Sequence, residues 1–277
     1  MNSPLVSCHW LQSQLTNPKL VVLYTCMADL ATGSPAPIPE QFIPGSVLFD
    51  FESDITNKQS ALPHTMPPAS QFERQIRQLG INNDSIIVVY DNVGVFCSPR
   101  VWWMLTAMGL QHVAVLDGGL PEWQRQGLPV SPSLTLPRSA GNVSVQPLEY
   151  GFVDAEFVQE GCVSQSIMVV DARSAGRFSG KNPEPRPGLR SGHIPGSVNL
   201  PFADCTNNGK IHDTAALQAM FESFAGDSQQ HLVFSCGSGV TACILALCAM
   251  LCGYQRISVY DGSWTEWGAD LKYPIEQ

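Results

Sequence analysis

Cys236-Gly237-Ser238-Gly239-Val240-Thr241 follows the apolar run His231-Leu232-Val233-Phe234-Ser235 and precedes Ala242-Cys243-Ile244-Leu245-Ala246-Leu247. The order of residue types reads as strand, tight loop and helix: two glycines let the backbone reverse, and the Ala/Leu-rich stretch after Thr241 is a good helix former. A thiol at the end of such a strand lies beneath a helix N-terminus. There the amides of Gly237, Gly239, Val240 and Thr241 can form a cradle that stabilises negative charge on sulfur. Nucleophilic sulfur chemistry at Cys236 is the expectation. The other eight cysteines read as small buried hydrophobes, as Cys243, Cys248 and Cys252 on one apolar stretch illustrate.

Cysteine-dependent phosphatases share the strand-loop-helix plan but close the loop with an arginine that clamps phosphoryl oxygens; here Thr241, Ala242 and Cys243 follow Val240. The loop instead resembles that of the rhodanese-type sulfurtransferases. The wording Cys-Gly-Ser-Gly-Val-Thr is similar to the branch that uses mercaptopyruvate, whereas the thiosulfate branch carries basic residues where Gly237 and Ser238 stand. The resemblance extends through Ser98-Pro99-Arg100-Val101-Trp102-Trp103, Asp171-Ala172-Arg173, Gly192-His193-Ile194-Pro195-Gly196 and Asp261-Gly262-Ser263-Trp264.

Arg173, Arg177, Lys181, Arg186 and Arg190 supply five of the fifteen Lys and Arg residues within one short stretch. A basic loop in an acidic chain points either to an anion site or to a solvated surface. Lys181 and Arg190 are assigned to solvent, and Arg173 to a pairing with Asp171 or a backbone carbonyl. The resemblance implies that Arg177 and Arg186 hold the carboxylate and keto oxygen of the donor, a planar task suited to guanidinium. It also implies that Ser238 works with His64 and an acidic partner, Glu52, with Asp50 and Asp54 as neighbouring alternatives, to manage the proton when a carbon–sulfur bond breaks. His64 reads equally as a surface residue of a Pro-rich loop, His193 as structural, and Trp264 as either core or pocket wall. The remaining histidines have no metal-like spacing, and no metal or cofactor is expected.

The elements that must position these residues form a repeat. Ile43-Pro44-Gly45-Ser46-Val47 returns as Ile194-Pro195-Gly196-Ser197-Val198, and Asp117-Gly118-Gly119 returns as Asp261-Gly262-Ser263. Tyr90-Asp91 corresponds to Ser235-Cys236, so an aspartate occupies the thiol's place in the first copy. A helix over Val6 to Leu15 is followed by a strand from Lys19 to Tyr24. Further strands are expected near Val47 to Phe49, Ser85 to Tyr90 and Val113 to Leu116, with a helix over Ala69 to Leu79 and another opened by Ser98 as N-cap and Pro99 at the first helical position. Alternating strands and helices imply an α/β fold with a mainly parallel sheet flanked by helices in each half, and the resemblance implies that these are tandem rhodanese-like domains. The expected division is 1–130 for a catalytically degenerate domain, 131–150 for a Ser/Pro/Asn-rich linker, and 151–277 for the catalytic domain.

The 277 residues suffice for two such domains. A net charge of −9 disfavours nucleic acid and anionic membranes as partners, and no apolar run reaches the length of a membrane span. Nine cysteines without a CxxC pair argue against a disulfide framework, and the opening Met1-Asn2-Ser3-Pro4 lacks the features of a signal peptide. A cytoplasmic monomer is expected. Its predicted reaction moves sulfur from mercaptopyruvate through a Cys236 persulfide to a thiol such as thioredoxin, or to cyanide. Thiosulfate as donor, and a non-catalytic binding module, are the alternatives.

Overall fold

The computed structural model describes residues 3–29, 33–137, 139–226 and 228–277. Met1 and Asn2 of the chain's opening, and Arg138 of the segment 131–150, lie outside them.

The first half runs β1 (Leu5–Val6), α1 (Cys8–Gln14), β2 (Leu20–Tyr24), β3 (Val47–Leu48), α2 (Ala69–Gln78), β4 (Ile86–Tyr90), α3 (Ser98–Ala107), β5 (Val113–Leu116) and α4 (Gly119–Arg125). The second runs β6 (Phe152–Val153), α5 (Ala155–Ser164), β7 (Met168–Asp171), α6 (Ala175–Phe178), β8 (Val198–Asn199), a 3₁₀ turn (Phe202–Cys205), the hairpin strands β9 (Thr206–Asn207) and β10 (Lys210–Ile211), α7 (Thr214–Glu222), β11 (Leu232–Ser235), α8 (Ala242–Leu251), β12 (Ile257–Tyr260) and α9 (Ser263–Trp267). The two main sheets are parallel and share one strand order, β1-β5-β4-β2-β3 and β6-β12-β11-β7-β8. The sequence repeat is therefore a repeat of structure. In both copies Ile-Pro-Gly-Ser-Val makes the same turn into the edge strand, with Ser46 and Ser197 hydroxyls donating to the carbonyls of Ile43 and Ile194 at 2.6 Å.

Two expectations need correction. The chain opens strand before helix: Leu5–Val6 pairs with β5, and the helix starts only at Cys8, where the Ser7 hydroxyl accepts from the Trp10 amide. A two-residue edge strand carries too little periodicity to separate from the helix behind it. Ser98 is not an N-cap either. It is the first helical residue, and its hydroxyl donates to Asp91 Oδ2 at 2.8 Å. The Asp91 carboxylate also accepts from the amides of Val93, Phe96, Cys97 and Ser98, and so takes over the orphan donors that a local cap would satisfy.

The equivalent central strands β4 and β11 each feed a loop and then a helix, and those two helices, α3 and α8, pack against each other in one core shared by both halves. Both are apolar on nearly every face, as helices enclosed on all sides must be. The segment 131–150 follows the first domain: Ser131 bridges to Phe42, the Gly141 amide donates to the Arg77 carbonyl and the Gln146 amide to the Met108 carbonyl, and Val143 is buried.

The β9–β10 hairpin of the second half reaches the first. The Ile211 amide donates to Asp117 Oδ1 at 3.0 Å, and Lys210 lies near Asp117 and Glu122. Its turn, Asn208 and Gly209 at positive φ, abuts Gly94, where a Cβ would lie 2.6 Å from the Gly209 Cα. Gly94 itself has φ +124°. Gly94→Ala is expected to destabilise the fold by about 2 kcal/mol or more, from backbone strain and displacement of the hairpin together. The urea midpoint checks this.

Candidate active site

Cys236 follows β11 directly and is 2% exposed. Its loop is held from behind by α9 and the turn before it. The Cys236 amide donates to the Ser263 hydroxyl; the Trp264 amide donates to the Cys236 carbonyl, and the Thr265 amide and hydroxyl both donate to the Gly237 carbonyl. With these carbonyls turned away, the amides of Gly237, Gly239, Val240 and Thr241 have no acceptor among the described residues. That is the donor arrangement of an anion nest ahead of a ten-residue helix. The equivalent amides of the first-half loop converge on Asp91, which shows what such a loop holds. Gly239, at φ +74°, has no room for a side chain: a Cβ would meet the Asp261 carbonyl at 2.9 Å and Arg100 Nη1 at 3.0 Å.

His64, Ser238 and Glu52 come together from three parts of the chain. His64 Nδ1 lies 3.0 Å from Ser238 Oγ, and its Nε2 lies 3.3 Å from Glu52 Oε1. The His64 side chain is 8% exposed, so it is no surface residue. Of the three neighbouring acids only Glu52 faces it; Asp50 accepts from the amides of Glu52 and Ser53 and builds the turn that presents Glu52. The Glu52 carboxyl is held below the usual carboxylate range: burial works to raise it, but the hydrogen bonds from His64 and the Ala28 amide outweigh that. An ionised carboxylate only accepts, so Nε2 is protonated, and Nδ1 faces the Ser238 hydroxyl. His64 has φ +61°, a conformation few non-glycine residues adopt.

A cavity of about 150 Å³ opens above the thiol, lined among others by Cys236, Ser238, Arg177, Arg186, Phe96 and Phe202. The arginines are not equivalent. Arg177 is paired bidentately with Glu184, which also binds Arg173, and Arg173 in turn is forked onto Asp171 and stacked 4.2 Å over Trp264. Arg186 makes no ion pair among the described residues, and burial lowers its pKa from the usual value. Three guanidinium groups against two carboxylates leave one net positive charge beside the thiol. The space next to Gly237 belongs to these cations: a Cβ there would lie 3.2 Å from Arg177 Nη2 and 3.8 Å from Arg186 Nη1.

Other expectations resolve differently. Trp264 is fully buried beneath Arg173 and does not line the cavity at the thiol. His193 is structural, stacked on Phe178 with Nδ1 at 2.9 Å from that residue's carbonyl. Arg190 is not solvated; it donates to the carbonyls of Trp267, Gly268, Asp270 and Tyr273 and fastens the C-terminal segment. Sequence reasoning assigned no role to Phe96 and Phe202, whose rings meet at 5.9 Å across the domain boundary at the cavity wall. It also missed Arg100 and Asp261, paired at 2.8 Å behind the loop. A lone charge within the apolar Pro99-Arg100-Val101-Trp102-Trp103 was the available signal, since charges are almost never fully buried unless paired.

Family comparison agrees with the geometry. The model of the rhodanese-like domain matches twice, at residues 33–126 and 154–270. The chain belongs to the rhodanese-like family. It is 37% identical to the 3-mercaptopyruvate sulfurtransferase of Homo sapiens over 95% of this chain and 91% of that one. It is 38% identical to the thiosulfate sulfurtransferase of Mus musculus, with the same coverage. The crystal structure of SseA from Escherichia coli superposes with a TM-score of 0.83 at 31% identity, covering 95% of this chain and 99% of that one. Overall identity thus does not separate the two donors, and the loop must.

Arg190→Ala is expected to cost about 2 kcal/mol or more, because the half-buried carbonyls of Trp267, Gly268 and Tyr273 lose a charged donor at once. Chemical denaturation with a second measurement of cavity chemistry, the alkylation rate of Cys236, should show the stability falling and the alkylation rate holding.

Proposed function

We propose that this chain is a 3-mercaptopyruvate sulfurtransferase that works through a persulfide on Cys236. The observation that carries the reading is the Ser238–His64–Glu52 chain beside the thiol. In the first half-reaction the Cys236 thiolate attacks the donor sulfur, the new S–S bond forms, and the carbon–sulfur bond breaks with its electron pair going to the enolate of pyruvate. That enolate needs a proton: the Ser238 hydroxyl supplies it and takes one in turn from Nδ1–H of His64 in its imidazolium form, which the Glu52 carboxylate stabilises and solvent restores after each turnover. The nest amides hold the charge on the inner and then the outer sulfur. Arg186, the cation with no ion pair, takes the donor carboxylate, and Arg177, fixed by Glu184, takes the keto oxygen. In the second half-reaction an acceptor thiolate attacks the outer sulfur and returns the Cys236 thiolate. Thioredoxin or another dithiol protein suits that step, and cyanide serves in an assay.

Thiosulfate is the weaker reading. Its leaving group, sulfite, departs as a stable anion that needs no proton, so Ser238, His64 and Glu52 would be idle. Its charge lies close to the breaking bond, where Gly237 and Ser238 are neutral. A cytoplasmic site suits nine thiols that are all free. No helix among the described residues is long and apolar enough to cross a membrane. Because one chain supplies every residue named, a monomer suffices.

Cys236→Ser is expected to abolish transfer from every donor while the protein stays folded, since an alkoxide cannot carry sulfur. Intact mass after donor treatment should show one added sulfur atom in the wild type and none in the variant; persulfide on another cysteine would sink the assignment.

Steady-state assays with both donors separate the two roles in the cavity. Ser238→Ala should lower kcat with mercaptopyruvate by about 10²-fold and barely change it with thiosulfate. Arg186→Ala should chiefly raise KM for mercaptopyruvate, a loss of about 1.5–3 kcal/mol in kcat/KM. Equal losses for both donors in Ser238→Ala would favour the thiosulfate reading.

A further inference from the structure

Arg100 is bonded to the backbone on both sides of the catalytic arrangement, at His64 and at Gly239. It projects from α3 of the first domain and is fully buried. Its Nη2 donates to the His64 carbonyl at 2.5 Å and to Asp261 Oδ1 at 2.8 Å, and its Nη1 donates to the Gly239 carbonyl at 3.1 Å. The guanidinium lies over the Phe152 ring at 4.6 Å. Asp261 closes the circuit, because its second oxygen accepts from the Met66 amide at 2.8 Å. The segment 64–66 is thereby gripped at both ends by one ion pair, one partner from each domain.

Stability alone does not explain this arrangement. A buried ion pair is often no more stabilising than apolar residues of the same volume, and α3 is otherwise apolar where it meets the second domain. What the pair adds is register. His64 belongs to the first domain and Ser238 to the second, and a proton moves between them only at hydrogen-bond distance. His64 also stands at φ +61°, and Gly239, next to Ser238, at φ +74°; the carbonyl of each is an acceptor of Arg100. The His64 conformation, which non-glycine residues adopt reluctantly, and the loop at Gly239 are thus tied to one rigid, planar fork. The Cys236 backbone is held separately: its amide and carbonyl are bonded to Ser263 and Trp264.

We propose that Arg100 is a positioning residue that sets the His64–Ser238 distance across the domain boundary. It thereby governs turnover of donors whose leaving group needs a proton, and has little influence on those that leave without one. The inference rests on the reading that Ser238 and His64 deliver that proton.

The test uses the full-length enzyme with mercaptopyruvate and thiosulfate as alternative donors and cyanide as the common acceptor. Arg100→Lys keeps the charge but cannot span three separated acceptors. It should lower kcat with mercaptopyruvate about tenfold or more and with thiosulfate no more than about twofold. Asp261→Asn, which keeps size and weakens the pair, should show the same donor split, and it decides the question if Arg100→Lys fails to fold. His64→Ala fixes the reference. The double variant Arg100→Lys with His64→Ala should be no slower with mercaptopyruvate than His64→Ala alone, because a residue that acts through His64 has nothing left to position. If both donors lose equally in the Arg100 and Asp261 variants while His64→Ala keeps its selective loss, Arg100 is only structural and the proposal fails with the proton reading intact. If His64→Ala itself shows no donor selectivity, the proton reading fails, and this proposal with it.

Discussion

Everything at the site depends on the burial of α3 against α8. Each helix continues the central strand of its own sheet through a loop, so packing the two helices together brings the two loops to one place. The halves are copies, and the contact is consequently near-symmetric: the Asp-Gly turn of each half receives donors from the other. Asp117 takes the Ile211 amide of the hairpin, and Asp261 takes the Met66 amide and Arg100. Because the interface is part of a continuous core, packing holds a serine and a histidine 174 positions apart at 3.0 Å.

The electrostatics of the cavity follow from pairing more than from the number of cations. Five basic residues in a short stretch give the sequence a strongly positive segment, but folding spends most of that charge internally. Arg173 and Arg177 share Glu184, Arg173 also holds Asp171, and Arg190 is turned onto four carbonyls. Neither Lys181 nor Arg190 lines the cavity, and Arg173, Arg177 and Arg186 against Asp171 and Glu184 leave one charge there, near Arg186, which suits a monocarboxylate. A site for a compact dianion would need more.

Much of this was legible in the residues themselves. The tandem α/β plan followed from the repeated Ile-Pro-Gly-Ser-Val and Asp-Gly segments, and the placement of Cys236 between a strand end and a helix start from an apolar run and a Gly-x-Gly turn. Local patterns of that kind survive folding because they are satisfied locally. What could not be read was decided by partners distant in sequence. Nothing near Glu52 distinguishes it from Asp50 and Asp54 until the turn built by Asp50 aims it at His64. Arg190 looks like any arginine of a polar loop until the C-terminal carbonyls arrive. Ser98-Pro99 has the composition of a helix start, but its capping oxygen comes from Asp91, seven residues earlier.

Asp91 also bears on what the first domain has become. Its carboxylate lies where the equivalent residue of the second domain carries its thiol, with five donors converged upon it and no exposure to solvent. In effect the domain is permanently saturated by a ligand of its own, tethered at an effective concentration no diffusing anion can match. Such an occupant cannot be displaced, transferred or titrated by substrate. The duplicated loop is therefore filled from within the chain, and its rigidity is available to the loop of Cys236 across the shared core.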